Sequence, residues 1–266
     1  MAFALSLVAV LSGAGSARAQ SEYDCMIEAK QAIEIRSPVE AMIESVRVKR
    51  GDPVTKGQIL VTLESGPERA AFALATSRAK AVGEIRAAEA RVDITKKKLQ
   101  RAQELVKQNF ISHNARDEAE AEHKLASEEL RRAKENQQIA AHEAKRAGEV
   151  LALRTIRSPF TGVVVEVLLK PGEFGAITFK DPILKLAEID PLHVEVILPI
   201  REYGKVKPQQ RASVMPEPPV GGRYETTVKI VDKVVDAASG TFGVRLELPN
   251  KDFALPAGVR CKVQFH

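Results

Sequence analysis

An internal repeat constrains this chain more than any other feature of its sequence. The tripeptide Arg36-Ser37-Pro38 recurs as Arg157-Ser158-Pro159, and residues 43–52 match residues 164–173 in their alternation of apolar and polar side chains. Alternating apolar residues bounded by Gly and Pro predict short, half-buried strands. Each copy also ends in an apolar strand, at residues 59–63 and 183–186. Because one copy alone has too few strands to cover its apolar face, we expect the two halves to close on each other into one small β-sandwich.

A glycine also recurs at the same place in each copy. Gly51 precedes Asp52 in the first copy, and Gly172 precedes Glu173 in the second. Glycine adopts positive φ without a steric penalty, so both positions predict tight turns with positive φ.

Between the two copies lie about 90 residues of helical character. Ser65-Gly66-Pro67-Glu68 has the form of a capping box with Pro in the first turn, and the chain from there to Lys107 is rich in good helix formers apart from Gly83. On both sides of a break at residues 109–114, apolar residues and alanines recur every seven residues. They are Ile85, Val92, Leu99 and Val106, with Ala81, Ala88, Thr95 and Ala102, before the break, and Ala119, Ala126, Ala133, Ala140 and Ala147 after it. Two such stretches joined by a short polar turn predict an antiparallel coiled-coil hairpin, in which ~40 residues at 1.5 Å each form an arm roughly 60 Å long.

The chain after the second copy predicts a small antiparallel β-barrel. Residues 192–198, 227–231 and 242–248 alternate in polarity, and Pro and Gly turn signals separate them. Residues 25–35 alternate in part, and we expect them to pair near the last strand, at residues 259–265.

The first 19 residues predict a secretory signal peptide. An apolar run at residues 3–11 is followed by Ala17-Arg18-Ala19, which has the form of a cleavage site. The run is too short to span a bilayer, which needs ~20 apolar residues. We therefore expect an exported, periplasmic protein, with an uncleaved N-terminal anchor as the alternative.

Composition and motifs argue against several classes of function. Aromatic residues make up 5% of the chain with no Trp, and the net charge of +5 comes from interspersed acids and bases, so we expect no nucleic-acid partner. The histidines show no i,i+4 ligand pairing, and two cysteines cannot form a four-cysteine zinc site. We expect no catalytic residue, no metal site and no cofactor, and we expect His123 to interrupt the apolar seam of the second helix. The five histidines are His113, His123, His142, His193 and His266.

The order of split halves, hairpin and barrel resembles the periplasmic adaptor (membrane fusion) proteins of tripartite efflux pumps, in the HlyD and RND-type adaptor family. Residues 37–60 and 230–245 carry the resemblance, which covers nearly the whole predicted mature chain. It implies an α+β chain in which a long antiparallel coiled-coil hairpin interrupts a split lipoyl-like β-sandwich and an antiparallel β-barrel follows. The implied domains are the sandwich at 33–64 and 155–187, the hairpin at 65–154, and the barrel at 20–32 and 188–266.

The resemblance also implies a docking site at the hairpin tip. Family members carry Arg, then Leu four residues on, then Ser seven further, at the contact with the outer-membrane channel, and Arg101, Leu105 and Ser112 have this spacing. Arg101 and Leu105 share a helix face, on which a guanidinium could bind carbonyl or carboxylate groups beside an apolar knob. Two alternatives stay open: Ser112 caps the returning helix, and Arg101 is a solvated helix charge.

The partners implied are an outer-membrane channel and an inner-membrane transporter, of RND type with ABC type as the alternative. The resemblance further implies a homo-oligomer, a hexameric ring forming a sealed duct, in the periplasm and peripheral to the inner membrane. A non-enzymatic adaptor is thus the leading hypothesis. The alternatives are a lipoyl- or biotinyl-type carrier subunit of an enzyme complex and, for the hairpin alone, a dimerisation or spacer coil.

The two cysteines predict a disulfide. An even number of cysteines in an exported chain favours pairing, and Cys25 with Cys261 would join the first strand to the last. Two unpaired, buried thiols are the alternative.

Overall fold

The computed structural model describes residues 21–175 and 182–266, which form two compact units. One unit contains the residues through Ile33, Thr161–Val163 and Leu186–His266; the other contains Glu34–Phe160 and Val164–Lys185. The predicted signal peptide, residues 1–19, lies outside the described residues. In chain order the strands are β1 (Glu22–Ile35), β2 (Ala41–Val46), β3 (Pro53–Val54), β4 (Ile59–Leu63), β5 (Thr155–Arg157), β6 (Gly162–Val167), β7 (Phe174–Gly175), β8 (Leu184–Pro199), β9 (Arg211–Pro216), β10 (Tyr224–Val231), β11 (Thr241–Leu248) and β12 (Val259–Phe265), and the helices are α1 (Gly66–Lys80), α2 (Gly83–Lys107) and α3 (His113–Ala152).

Strands from the two copies of the repeat hydrogen-bond to each other, which confirms that the halves combine. In a four-stranded sheet of order β5-β4-β2-β7, β4 of the first copy pairs with β5 of the second, and β2 pairs with β7. Strand β3 is likewise hydrogen-bonded to β6. Ile43, Leu60, Leu63 and Val164 are at most 1% exposed, so both copies contribute to the core.

Each of the two repeated glycine turns donates a hydrogen bond to the other copy of the repeat. Gly51 and Gly172 have φ values of 88° and 89°, which confirms the predicted positive φ. The amide of Gly51 donates to the carbonyl oxygen of Val164 at 2.8 Å, and the amide of Gly172 donates to that of Ile43 at 2.9 Å. Ile43 and Val164 are equivalent positions of the repeat, so the two halves are related by a local pseudo-twofold arrangement.

The repeated Ser-Pro steps also have the same structure. Ser37 and Ser158 are 5% and 3% exposed. The hydroxyl group of Ser158 donates to the carbonyl oxygen of Phe160 at 2.6 Å, and that of Ser37 donates to the carbonyl oxygen of Val39. Because a buried hydroxyl needs a partner, this local bond gives a physical reason for a Ser in both copies.

The segment between the copies is a helical hairpin, with α1 and α2 both packed against α3. The helix-forming stretch from Ser65 to Lys107 is divided near Gly83, because the chain leaves helical geometry at Ala81 (φ −70°, ψ 113°) and resumes it at Gly83. Val82 and Gly83 explain the position of the break, since β-branched residues and glycine are weak helix formers.

The predicted capping box of α1 is also wrong. Ser65 has φ −144° and ψ 19°, and its side chain makes no capping hydrogen bond. Glu68, the other member of the box, instead accepts a hydrogen bond from Arg154 at 2.5 Å. The carboxylate therefore ties the start of α1 to the end of the hairpin rather than reaching back to Ser65.

The heptad positions predicted from the sequence are the ones removed from solvent in the hairpin. Thr95, Ala102, Ala119 and Ala126 are at most 8% exposed, and the other predicted positions of α2 and α3 are half-buried. Ala81 is the exception: it is exposed, because it lies in the break between α1 and α2.

The last strands form a barrel with β1. Its order is β1-β12-β9-β10-β11-β8, and β1 pairs with β8 to close it. Alternate residues point inward, as in β8, where Leu192, Val194, Val196 and Leu198 are fully buried. Two strands predicted separately, at residues 183–186 and 192–198, belong to the single strand β8.

The predicted disulfide is confirmed. Cys25 in β1 lies directly opposite Cys261 in β12, with a Cα–Cα distance of 4.8 Å, and the two sulfur atoms are bonded. Antiparallel pairing of the first and last strands thus brings together residues that are 236 positions apart in the sequence.

Candidate functional site at the hairpin tip

The C-terminus of α2 is closed by a Schellman motif. Asn109 has a φ of 56°, and its amide donates to the carbonyl oxygen of Val106 at 2.9 Å. The amide of Phe110 donates to the carbonyl oxygen of Leu105, also at 2.9 Å. Asn tolerates the left-handed region better than most residues, so this sequence can end a helix sharply without glycine.

The N-terminus of α3 is capped by Ser112. Its φ and ψ of −73° and 157° are those of an N-cap, and its hydroxyl group accepts a hydrogen bond from the amide of Ala115 at 3.3 Å. Ser112 therefore caps α3, which gives a local structural reason for this residue type. Its docking role stays a prediction.

Arg101 and Leu105 lie one turn apart near the end of α2, and both are exposed. Leu105 is 40% exposed. Arg101 makes no ion pair or side-chain hydrogen bond within the described part of the chain, so its five N–H groups are available. It lines an open recess of about 340 Å³ together with Lys97, Gln100 and Glu104.

Phe110 is a tip residue that the sequence analysis missed. It is 72% exposed in the turn, whereas the neighbouring Ile111 is half-buried. The predicted short polar turn therefore also carries one exposed apolar side chain. The signal was available in the sequence, since an adjacent Phe and Ile between two polar helix-capping residues is unusual for a solvated loop. A large aromatic side chain held outward gives the tip apolar area for a partner.

Polar contacts of Lys98 and Thr95 join α2 to α3 near the tip of the hairpin. Lys98 donates to Glu122 at 2.7 Å, and this hydrogen bond, together with charge attraction, holds the pKa of Glu122 below its ordinary value. Thr95, 3% exposed, lies with its hydroxyl oxygen 3.2 Å from Nδ1 of His123. His123 does enter the apolar seam as predicted, and Thr95 provides its polar partner there.

Metal sites and membrane-spanning helices were considered for residues 21–175 and 182–266, which the structure describes. Within them no group of three or more His, Cys, Asp or Glu side chains is arranged to hold a metal ion. No helix of that same part of the chain is both long and apolar enough to cross a bilayer.

Comparison with known proteins gives a family match over more than half of the chain. The model of the CzcB-like, barrel-sandwich hybrid domain matches residues 31–188. The chain is 22% identical over 218 residues to the cobalt-zinc-cadmium resistance protein CzcB of Cupriavidus metallidurans, which covers 82% of this chain and 39% of CzcB. It is 28% identical over 243 residues to the multidrug resistance protein MdtA of Escherichia coli, which covers 86% of this chain and 54% of MdtA. The chain thus spans about half the length of the curated relatives it matches.

Solved structures share the fold. MacA from Actinobacillus actinomycetemcomitans gives a TM-score of 0.74 at 19% identity, over 93% of this chain and 78% of MacA. The membrane fusion protein Spr0693 from Streptococcus pneumoniae gives a TM-score of 0.60 at 16% identity, over 92% of this chain and 98% of the other. At such identities the likeness concerns the fold, which includes β domains of barrel and sandwich type and a helical hairpin.

Proposed function

This chain belongs to the CzcB-like barrel-sandwich hybrid domain family, and on that premise we propose that it is the periplasmic adaptor subunit of a tripartite efflux system. In this role it links an inner-membrane transporter to an outer-membrane channel and assists export across both membranes. Its contribution is positioning and sealing, without bond chemistry. The observation that carries the proposal is the hairpin inserted into the repeated sandwich, with Arg101, Leu105 and Phe110 exposed towards its tip.

The finer architecture is part of the proposal. The sandwich is of the lipoyl-like type, with domain segments 33–64 and 155–187, and the barrel comprises 20–32 and 188–266. The hairpin at 65–154 is a coiled coil whose seam is the set of buried heptad positions. Alanines there let α2 and α3 approach closely, which keeps the arm thin enough to dock beside its neighbours.

The tip supplies three different contacts for the channel. The guanidinium of Arg101 donates to carbonyl or carboxylate oxygens of the channel's helices, and Leu105 and Phe110 pack against apolar side chains. Ser112 contributes by capping α3, which fixes the direction in which the turn presents Phe110.

We assign the transporter to the RND type, with the ABC type as the alternative, and the adaptor to a hexameric ring in the periplasm, peripheral to the inner membrane. MdtA is named for multidrug resistance and CzcB for cobalt-zinc-cadmium resistance. These relatives differ in what they resist, so the family alone selects no exported substrate.

Site-specific photo-cross-linking in cells tests the proposal. A photoreactive phenylalanine analogue at Leu105 should form an adduct that mass spectrometry identifies as an outer-membrane channel protein. The matched control places the analogue at Ile139, which is 57% exposed on α3 but about 40 Å along the helix from its first residue. The absence of a channel adduct at Leu105, or an equal yield at Ile139, contradicts the proposed docking.

The carrier alternative has a direct test of its own. A carrier presents its attachment lysine on a tight turn between two strands, whereas here the connection between β4 and β5 is the whole hairpin. The intact mass of the purified chain should equal the sequence mass after signal-peptide removal. An added lipoyl or biotinyl group would instead favour the carrier.

A further inference from the structure

A second site lies at the opposite end of the hairpin from its tip. A cavity of about 410 Å³, here called the basal cavity, opens where α1 leaves β4 and α3 returns to β5. Its polar lining includes three arginines and four hydroxyl residues, which are Arg47, Arg69, Arg154, Ser45, Thr62, Ser65 and Thr155. All of these residues belong to the same compact unit.

The charge of the basal cavity is positive. Arg154 is fixed in its wall, because it donates to Glu68 at 2.5 Å and to the carbonyl oxygen of Glu40 at 3.4 Å. Arg47 and Arg69 form no ion pair and no side-chain hydrogen bond with any described residue. Glu44 is the one carboxylate among the lining residues. Two arginines therefore line the cavity without a bonded counter-ion.

Ser65 adds a further hydroxyl donor. The residue is only 8% exposed, it lines the cavity, and its hydroxyl group caps no amide of α1. It stands at the N-terminus of this helix, where unpaired amides and the helix dipole favour an anion. Arg154, which lines the same cavity, has a buried Nε without a hydrogen-bond partner. Because buried polar atoms are normally hydrogen-bonded, this atom indicates a missing acceptor.

The hydroxyl groups of Ser45 and Thr62 together give one further donor. The side chains of Ser45 and Thr62 bond to each other at 2.6 Å. A hydroxyl that accepts a hydrogen bond still carries its own proton, so one proton of this pair is left for a ligand. The cavity therefore offers many donors and little acceptor capacity, which is the chemistry of an oxyanion site.

We propose that the basal cavity binds a phosphate group, with Arg47 and Arg69 as its principal ligands and Ser65 as a further donor. Guanidinium forks match the oxygen geometry of phosphate, and a tetrahedral anion can accept from several directions at once. The volume exceeds that of the bare ion, so a phosphate monoester fits as well. The same chemistry can come from free phosphate or from the headgroup of a lipid.

Titration of the purified full chain with inorganic phosphate at low ionic strength tests the proposal, by calorimetry or phosphorus NMR. Wild-type protein should bind saturably, and Arg47→Gln/Arg69→Gln should bind at least about tenfold more weakly. Ser65→Ala should lose several-fold. Arg86→Gln is the matched control, because Arg86 is exposed on α2 and does not line the cavity.

Two results would overturn the site. One is no saturable binding by the wild type below about 10 mM phosphate, and the other is equal affinity in wild type and the double variant. Circular dichroism checks the fold of each variant. If the double variant does not fold, the single variants Arg47→Gln and Arg69→Gln take its place, and each should weaken binding several-fold.

The source of the phosphate is decided with vesicles. Wild type and Arg47→Gln/Arg69→Gln are sedimented with phosphatidylcholine vesicles that contain roughly one fifth phosphatidic acid, and with phosphatidylcholine alone. Binding that needs both phosphatidic acid and the arginines supports a lipid phosphate. Vesicle binding that is absent or independent of the arginines, with phosphate binding still dependent on them, supports the free ion. Failure of this site leaves cross-linking at Leu105 unaffected, so the two proposals fail independently.

Discussion

The hydroxyl oxygen of Thr95 lies 3.2 Å from Nδ1 of His123, and this contact joins α2 to α3 within a seam of alanine and aliphatic side chains. The same hydroxyl lies 2.9 Å from the carbonyl oxygen of Arg91 and 3.1 Å from that of Val92. It can therefore donate to its own helix while it accepts from the imidazole. A polar pair at one position of an apolar seam fixes the register of two helices that alanines alone would allow to slide.

Replacement of Thr95 tests this contact. Thr95→Val keeps the shape but leaves His123 without its partner, and we expect the free energy of unfolding to fall by about 1–3 kcal/mol. His123→Leu should restore part of this loss in the Thr95→Val background. Urea denaturation of the four proteins of the cycle measures the coupling, and strictly additive effects would contradict it.

Thr76 is the matched control for that substitution. Its hydroxyl oxygen is buried in α1 and has no hydrogen-bond partner. Thr76→Val therefore removes an unsatisfied polar atom and should leave stability unchanged or raise it by up to about 1 kcal/mol. Opposite signs for the two Thr→Val changes separate the value of the contact from the general effect of valine in a helix.

Acid should weaken the contact between α2 and α3 at Glu122. The hydrogen bond and charge of Lys98 hold the pKa of Glu122 below its ordinary value of 4.5 in the folded state. The stability that this pair contributes is therefore complete above that value and is lost as the pH falls through the lowered pKa. Thermal unfolding between about pH 6 and pH 3 should be less acid-sensitive in Glu122→Gln than in the wild type.

The control for the acid experiment is Glu118→Gln, since Glu118 is exposed on α3 and forms no ion pair within the described residues. It should follow the wild-type pH profile. Because the side chains of Lys98 and Glu122 are 58% and 42% exposed, added salt should reduce the difference by screening. Identical profiles for Glu122→Gln and the wild type at low salt would show that the pair is not coupled to folding.

The disulfide between Cys25 and Cys261 should make a large contribution to the stability of the barrel. It closes a loop of 236 residues, for which the chain-entropy model gives about 5 kcal/mol. A phosphine reductant should lower the urea midpoint of the wild type and leave the Cys25→Ser/Cys261→Ser variant unchanged. Equal midpoints for the oxidised wild type and the variant would contradict a stabilising role.

The sequence predicts best where the structure depends on periodicity or on chain pairing. The heptads predicted the buried face that contains Thr95 and Ala126, and the repeat predicted the positive φ of the turns at Gly51 and Gly172. Both features follow from local patterns that only one packing arrangement satisfies. The pairing of the cysteines followed from the position of the first and last strands in one barrel.

Features that depend on contacts between side chains distant in the sequence could not be predicted from local patterns. The capping box predicted a local partner for Glu68, but its carboxylate instead accepts a hydrogen bond from Arg154, which is distant in the sequence. The outward direction of Phe110 depends on the left-handed Asn109, and no periodicity indicates such a residue. The basal cavity needs the strands of both copies and the ends of two helices, so its arginines are scattered through the sequence.

Gly162 should tolerate no side chain. A Cβ atom there would lie 3.0 Å from the carbonyl carbon of Ala187 and closer still to its oxygen. Since backbone cannot give way as a flexible side chain does, Gly162→Ala should destabilise by about 1–3 kcal/mol or more. Gly83→Ala is the control, because nothing lies within 4 Å of its added Cβ at the start of α2. It should stabilise by about 0.4–1 kcal/mol, and urea denaturation of both variants should give opposite shifts.

Substitutions at the hairpin tip should affect binding of the partner without changing the stability of the fold. Phe110 is 72% exposed and Arg101 has no partner among the described residues, so Phe110→Ser and Arg101→Gln remove little that the isolated fold needs. Both should leave the thermal midpoint within about 1–2 °C of the wild type.

The same two variants should bind the channel poorly if the tip is the docking site. Aromatic and arginine side chains carry most of the energy of many interfaces, so co-purification of the outer-membrane channel after cross-linking in cells should fall at least about tenfold. Ile139→Ser removes an apolar side chain of α3 that is 57% exposed and should leave co-purification unchanged. Full co-purification of the channel with both tip variants would show that the docking surface is not at the tip. A similar loss in Ile139→Ser would indicate that the middle of the hairpin makes the contact.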